Sequence, residues 1–171
     1  MQGELDFAQS LRERVALLKG LNESDLMRVV NERLVLNPGA VEWIATCKKN
    51  NITTLLVSGG FTFFADRVKA MLGLDYAVSN SLEIVNGKLT GKILGDIVDA
   101  QTKANELIKL RDNLGLTAAQ TIAIGDGAND LKMMSAAGIG IAYHAKPIVQ
   151  AQATYAINYV GLDGVIGLLT T

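Results

Sequence analysis

The sequence predicts an α/β fold, a doubly wound and mostly parallel sheet with a small helical layer at its N-terminal side. Three observations carry this. From residue 51 onward, short apolar runs alternate with segments of helical periodicity, the pattern of successive βα units. Two of those runs, TTLLV at 53–57 and TIAI at 121–124, break into glycine-bearing polar turns that lead straight into helix-like stretches. Ligands in open α/β sheets bind beyond the carboxyl ends of the strands, which is where such turns fall. Before residue 51, helical spacing recurs with no strand between, so these segments stand outside the alternation.

In GELDFAQSLRERVALL, 3–18, Phe7, Leu11, Val15 and Leu18 share one face, which predicts an amphipathic helix. Asn22 followed by acids predicts a cap and a second helix to residue 34. Asn37-Pro38 predicts a third helix to about residue 50, with Asn as cap and Pro at the first helical position. Strands are then expected at about 53–57, 75–79, 121–124, 139–142 and 155–157, and helices at about 61–72, 99–114, 128–137, 146–152 and 161–169. LEIVNGKLTGKIL at 82–94 interrupts the series. Its Asn86-Gly87 between alternating runs predicts a type I′ hairpin, an antiparallel excursion beside the main sheet.

With 171 residues, 49% hydrophobic content and a formal net charge of −1, the chain can bury one good core and a small insertion. No apolar run approaches the roughly 18 residues of a membrane helix, and no signal-peptide pattern opens the chain, so a cytoplasmic protein is expected. A pI near 5.8 without a basic run argues against nucleic acid or an anionic membrane as partner. The single Cys47 cannot form an internal disulfide and, beside Trp43 and Ile44, reads as a core thiol.

Three places carry chemistry. GDGANDLKMM, from Gly125, sets Asp126, Asn129 and Asp130 in one turn; their hard oxygens suit magnesium, and the same residues are common turn formers and helix caps. Ser58-Gly59-Gly60 offers a hydroxyl and successive backbone N–H groups at a strand end, an anion cradle that two glycines let a phosphate approach closely. Lys103 lies in an amphipathic run whose Ala104, Leu107, Ile108 and Leu110 face a core; taken alone it is a surface charge, as is Arg14 in RER. His144, the one histidine, reads as a loop residue after a strand.

The order VSGGF, DAQTK, AIGDGANDL, AYHAKP resembles the haloacid dehalogenase (HAD) superfamily of phosphotransferases, and is closer still to its phosphoserine phosphatases, over essentially the whole chain. The resemblance implies a HAD-like Rossmannoid core at 37–171 and a partial helical cap at 1–36. It implies magnesium-dependent hydrolysis of L-phosphoserine, the last step of serine biosynthesis. Ser58, Gly59, Lys103 and Asn129 would grip phosphate, with Lys103 neutralising charge on the phosphate and the nucleophile. Asp126 and Asp130 would serve the metal. Arg14 would pair with the substrate carboxylate, and Phe7 and Met1 would form apolar walls. The family's nucleophile and acid–base aspartates belong to a DxDxT motif on its first strand, and no DxDxT occurs in the 171 residues. The chain is therefore expected to open inside the cap, with that strand upstream of Met1, to be inactive as given, and to self-associate through the unpaired sheet. Alternatives are a non-catalytic HAD-like remnant or binding protein, and a phosphatase of another small phosphometabolite.

Overall fold

The computed structural model describes residues 2–169, with side chains from residue 7 onward. In chain order the helices are α1 (Gln2–Ala16), α2 (Glu23–Arg33), α3 (Ala40–Lys49), α4 (Thr62–Leu72), α5 (Ala100–Asn113), α6 (Leu131–Ala136) and α7 (Pro147–Gln150). The strands are β1 (Leu55–Phe61), β2 (Tyr76–Val85), β3 (Lys88–Leu94), β4 (Ile122–Gly125), β5 (Ile139–Tyr143) and β6 (Tyr155–Ile157). Short 3-10 segments cover Ala118–Gln120, Ala128–Asp130 and Leu162–Leu168. Among the described residues no helix is long and apolar enough to cross a membrane.

The chain forms two compact units, one of residues up to Leu36 with Leu55–Asp99, the other of Asn37–Thr54 with the chain from Ala100 onward. The first holds a mixed sheet in the order β1-β2-β3, with β1 parallel and β3 antiparallel to β2. The second holds a parallel sheet in the order β4-β5-β6. The α/β class and the N-terminal helices are as expected. The difference is that there are two three-stranded sheets rather than one mostly parallel sheet, and the hairpin belongs to the first of them. The hairpin joins the first sheet because β2 runs unbroken from the predicted strand at 75–79 into the first hairpin arm, with no proline or charged turn separating YAV from SLEIV.

The hairpin turn is built as Asn-Gly predicts, with φ of 51° at Asn86 and 73° at Gly87, the left-handed pair a type I′ turn needs. The segment between α1 and α2 extends this sheet by main-chain bonds: Gly20 N–H to the Leu89 carbonyl at 2.8 Å and Leu89 N–H to the Leu21 carbonyl at 2.9 Å. α2 is capped by Asp25, whose carboxylate accepts the Asn22 N–H at 3.1 Å. α3 begins at Ala40, later than Asn37-Pro38 suggests, because Gly39 adopts φ 76° and turns the chain there. Leu11, Val15 and Ile97 form the core of the first unit, flanked by Phe7, Phe61, Leu82 and Ile93. In the second unit Ala123, Met134, Ala142 and Val149 pack together, and Ile141 and Val165 are fully buried. Cys47 is buried, as its neighbours suggest.

Candidate active site

In the second unit, β4 pairs in parallel with β5 as far as Gly125 opposite Ala142, and the polar turn begins there. Its hub is Asp130, which is 5% exposed. Oδ2 accepts the backbone N–H groups of Asp126 at 3.2 Å and Gly127 at 3.1 Å, and Oδ1 accepts Lys103 Nζ at 2.7 Å. Lys103, in the first turn of α5, is 6% exposed. A lysine that sequence alone would leave in solvent is thus held inside by a charge partner, the condition under which burial of an ammonium is tolerable. Gly125 makes room for this arrangement: a Cβ there would stand 2.3 Å from Asp130 Cβ and 2.7 Å from its Oδ2. Gly127 does the same for Asn129, whose Oδ1 would lie 2.5 Å from an added Cβ.

Asp126 and Asn129 are exposed at the mouth of the turn. Two donors fill Oδ2 of Asp130, and Oδ1 keeps one lone pair beyond the one Lys103 uses. Among the described residues no three His, Cys, Asp or Glu side chains gather to hold a metal ion. Asp126 nevertheless suits magnesium as a single protein ligand, since that ion keeps several waters and takes one or two carboxylates beside substrate phosphate.

In the first unit, β1 follows β2 in register through Val57 opposite Val78, then slips until Phe61 stands opposite Asn80. The Ser58-Gly59-Gly60 stretch is the bulge so formed, a device that re-aims groups at binding sites. Gly60 N–H donates to Ser58 Oγ at 3.0 Å, which leaves the hydroxyl proton to donate outward. Phe7 reaches the same place, its Cζ lying 3.6 Å from where a Cβ on Gly59 would be. Seven residues on, or two helical turns, the exposed Arg14 follows Phe7 along α1, its Nε on the Ser10 carbonyl at 3.3 Å.

The expected site residues thus form two groups, Lys103, Asp126, Asn129 and Asp130 in one unit and Phe7, Ser58 and Gly59 in the other, with Arg14 on the helix that carries Phe7. Met1 lies outside the described residues. His144, at φ 46°, places Nε2 2.9 Å from the Val160 carbonyl and so fastens the C-terminal segment. Asn80 was not foreseen. It is 1% exposed and bonds both Gly59 and Val98. Its signal in the sequence is a lone Asn inside the otherwise strand-forming YAVSNSLEIV, where that residue is disfavoured unless its amide is used.

The haloacid dehalogenase-like hydrolase family profile matches residues 1–135. A phosphoserine phosphatase of Haemophilus influenzae is 52% identical over 170 residues, covering 99% of this chain and 54% of the relative. One from a Polaromonas species is 49% identical over 174 residues, with 99% and 74% covered. The crystal structure of a probable phosphoserine phosphatase from Vibrio cholerae, in unliganded form, superimposes with a TM-score of 0.94 at 52% identity, covering 99% of this chain and 52% of that one. The chain spans about half the length of the first of these relatives.

Proposed function

Because the chain belongs to the phosphoserine phosphatase family of haloacid dehalogenase-like hydrolases, we propose that it supplies the phosphate- and substrate-gripping machinery of an enzyme that cleaves L-phosphoserine to serine and phosphate with magnesium. The observation that carries this is the buried Lys103–Asp130 pair, 2.7 Å long and locked to the Gly125 turn. Monoester cleavage needs fixed positive charge where phosphoryl oxygens sit, and preorganised charge in a water-poor setting is worth more than the same charge in solvent.

Each residue then has a part. Lys103 neutralises the transferring group, and Asp130 fixes where its ammonium stands. Ser58 O–H and the Gly59 N–H bind phosphoryl oxygens, and Asn129 adds a polar contact. Arg14 pairs with the substrate carboxylate, a geometry that suits a guanidinium fork, while Phe7 walls the apolar side. Asp126 is the direct magnesium ligand and Asp130 its support through the turn. Magnesium, when bound, would neutralise further charge on the phosphoryl oxygens. Residues 1–36 act as partial cap and 37–171 as core, in a cytoplasmic protein.

This length of chain alone does not turn over in our reading, since it carries no DxDxT to attack phosphorus or protonate the leaving alkoxide. That missing motif also favours a second reading, a phosphate-binding remnant without catalysis. Phosphate release from L-phosphoserine with excess magnesium separates the two. Alone, the chain should stay below about 0.1 per second, two decades under the roughly 10 per second of a median enzyme. A synthetic strand peptide bearing DxDxT, added in trans, should restore turnover that Asp126→Asn abolishes. Turnover without the peptide would refute the inactivity, and none with saturating peptide would favour the remnant.

A further inference from the structure

We propose that Asn80 is a positioning residue for phosphoryl recognition, its side-chain amide replacing the ladder that β1 gives up at the Ser58-Gly59-Gly60 bulge. This rests on the reading of Ser58 and Gly59 as the phosphoryl cradle. Between the pairs Val57–Val78 and Phe61–Asn80, three residues of β1 face one of β2, so the regular parallel bonds cannot continue. A carbonyl withdrawn from its ladder needs another donor if water does not reach it.

Asn80 Nδ2 is that donor, 2.8 Å from the Gly59 carbonyl. Its Oδ1 accepts the Val98 N–H at 2.8 Å. With both ends of the amide engaged and the side chain 1% exposed, its plane has one orientation. The constraint passes on through covalent geometry. The Gly59 carbonyl and the Gly60 N–H belong to one planar trans peptide and point opposite ways, so fixing one fixes the other. That same Gly60 N–H donates to Ser58 Oγ at 3.0 Å. Asn80 therefore sets, through one rigid peptide, the direction in which the Ser58 hydroxyl is left to donate.

The test is a titration of the folded chain with inorganic phosphate, followed by the backbone amide resonances of residues 58–60, with thermal melts run in parallel. Wild type should show these amides moving with one midpoint. Asn80→Ala, and Asn80→Asp, which keeps an acceptor for Val98 but loses the donor to Gly59, should each bind about tenfold more weakly, the factor one neutral hydrogen bond contributes. In a Ser58→Ala background the Asn80 changes should cost much less, because groups that act through one another are not additive. A residue that only stabilises the fold would lower the melting temperature and leave the affinity of folded protein unchanged, which would overturn the proposal while leaving the cradle standing. An equal loss with and without Ser58 would overturn it too. Wild type that shows no movement at residues 58–60 would remove the cradle itself. Should the variants not fold, the wild-type Asn80 Nδ2 protons decide: they should move with the Gly59 midpoint, and stationary signals would refute the coupling.

Discussion

Lys103 and Asp130 hold opposite charges in a setting where each side chain is less than a tenth exposed, at 8% and 7%. Such a pair gives little net stability against a matched apolar pair, but removing one partner strands the other charge. Lys103→Met should therefore destabilise the chain by about 3–5 kcal/mol in urea unfolding. A loss under about 1 kcal/mol, the range of exposed pairs, would mean that water reaches the carboxylate after all. Gly125 tests the same carboxylate by volume. Its φ is ordinary, so the cost of Gly125→Ala is contact alone, with a Cβ 2.3 Å from Asp130 Cβ. We expect a loss of about 1–3 kcal/mol, typical of overpacking. Gly167→Ala, where nothing lies within 4 Å of the added atom, should stay within about 0.5 kcal/mol.

β2 decides the character of the first sheet. Its first half pairs in parallel with β1 and its second half antiparallel with β3, so one strand serves both a βα unit and a hairpin. Cross-strand chemistry supports the second half: Thr90 Oγ1 donates to Glu83 Oε2 at 2.5 Å. The turn that makes the hairpin possible can be tested without disturbing any packing. At Gly87 an added Cβ meets nothing within 4 Å, but φ is 73°. Gly87→Ala should thus cost about 1–2 kcal/mol, all of it backbone conformation. Thermal denaturation compared with Gly125→Ala would show similar losses from unrelated causes, and a neutral Gly87→Ala would mean that the turn can relax to another type.

Each sheet has a terminal strand that carries or leads into its own unit's group of expected site residues, β1 with Ser58 and Gly59 in the first unit and β4 before Asp126 in the second. A terminal strand offers a row of backbone donors and acceptors to any partner chain. From this we expect the 18.2 kDa chain to self-associate in a concentration-dependent way, measurable by light scattering after gel filtration. A strand peptide that restores turnover should also return the chain to the mass of one chain plus peptide. A constant monomer mass across the concentration range, with no peptide uptake, would contradict both expectations.

Periodicity and turn chemistry are local properties, and what depends on them was legible in the sequence. The amphipathic α1, the Asn86-Gly87 hairpin and the two glycine-bearing strand ends each follow from spacing or from φ preferences that neighbouring residues determine. Ser58, Asp126 and Asp130 stand out for the same reason, as polar residues where an apolar run stops. Other features depend on partners far along the chain. Nothing near Lys103 says that it is buried; Asp130, 27 residues on, decides that by supplying the counter-charge. Asn80 looks like a flaw in a strand until the bulge 21 residues earlier presents an unpaired carbonyl. The division of the strands into two sheets likewise depends on which backbones meet, since hydrophobic alternation specifies a strand's faces and leaves its neighbours to tertiary packing.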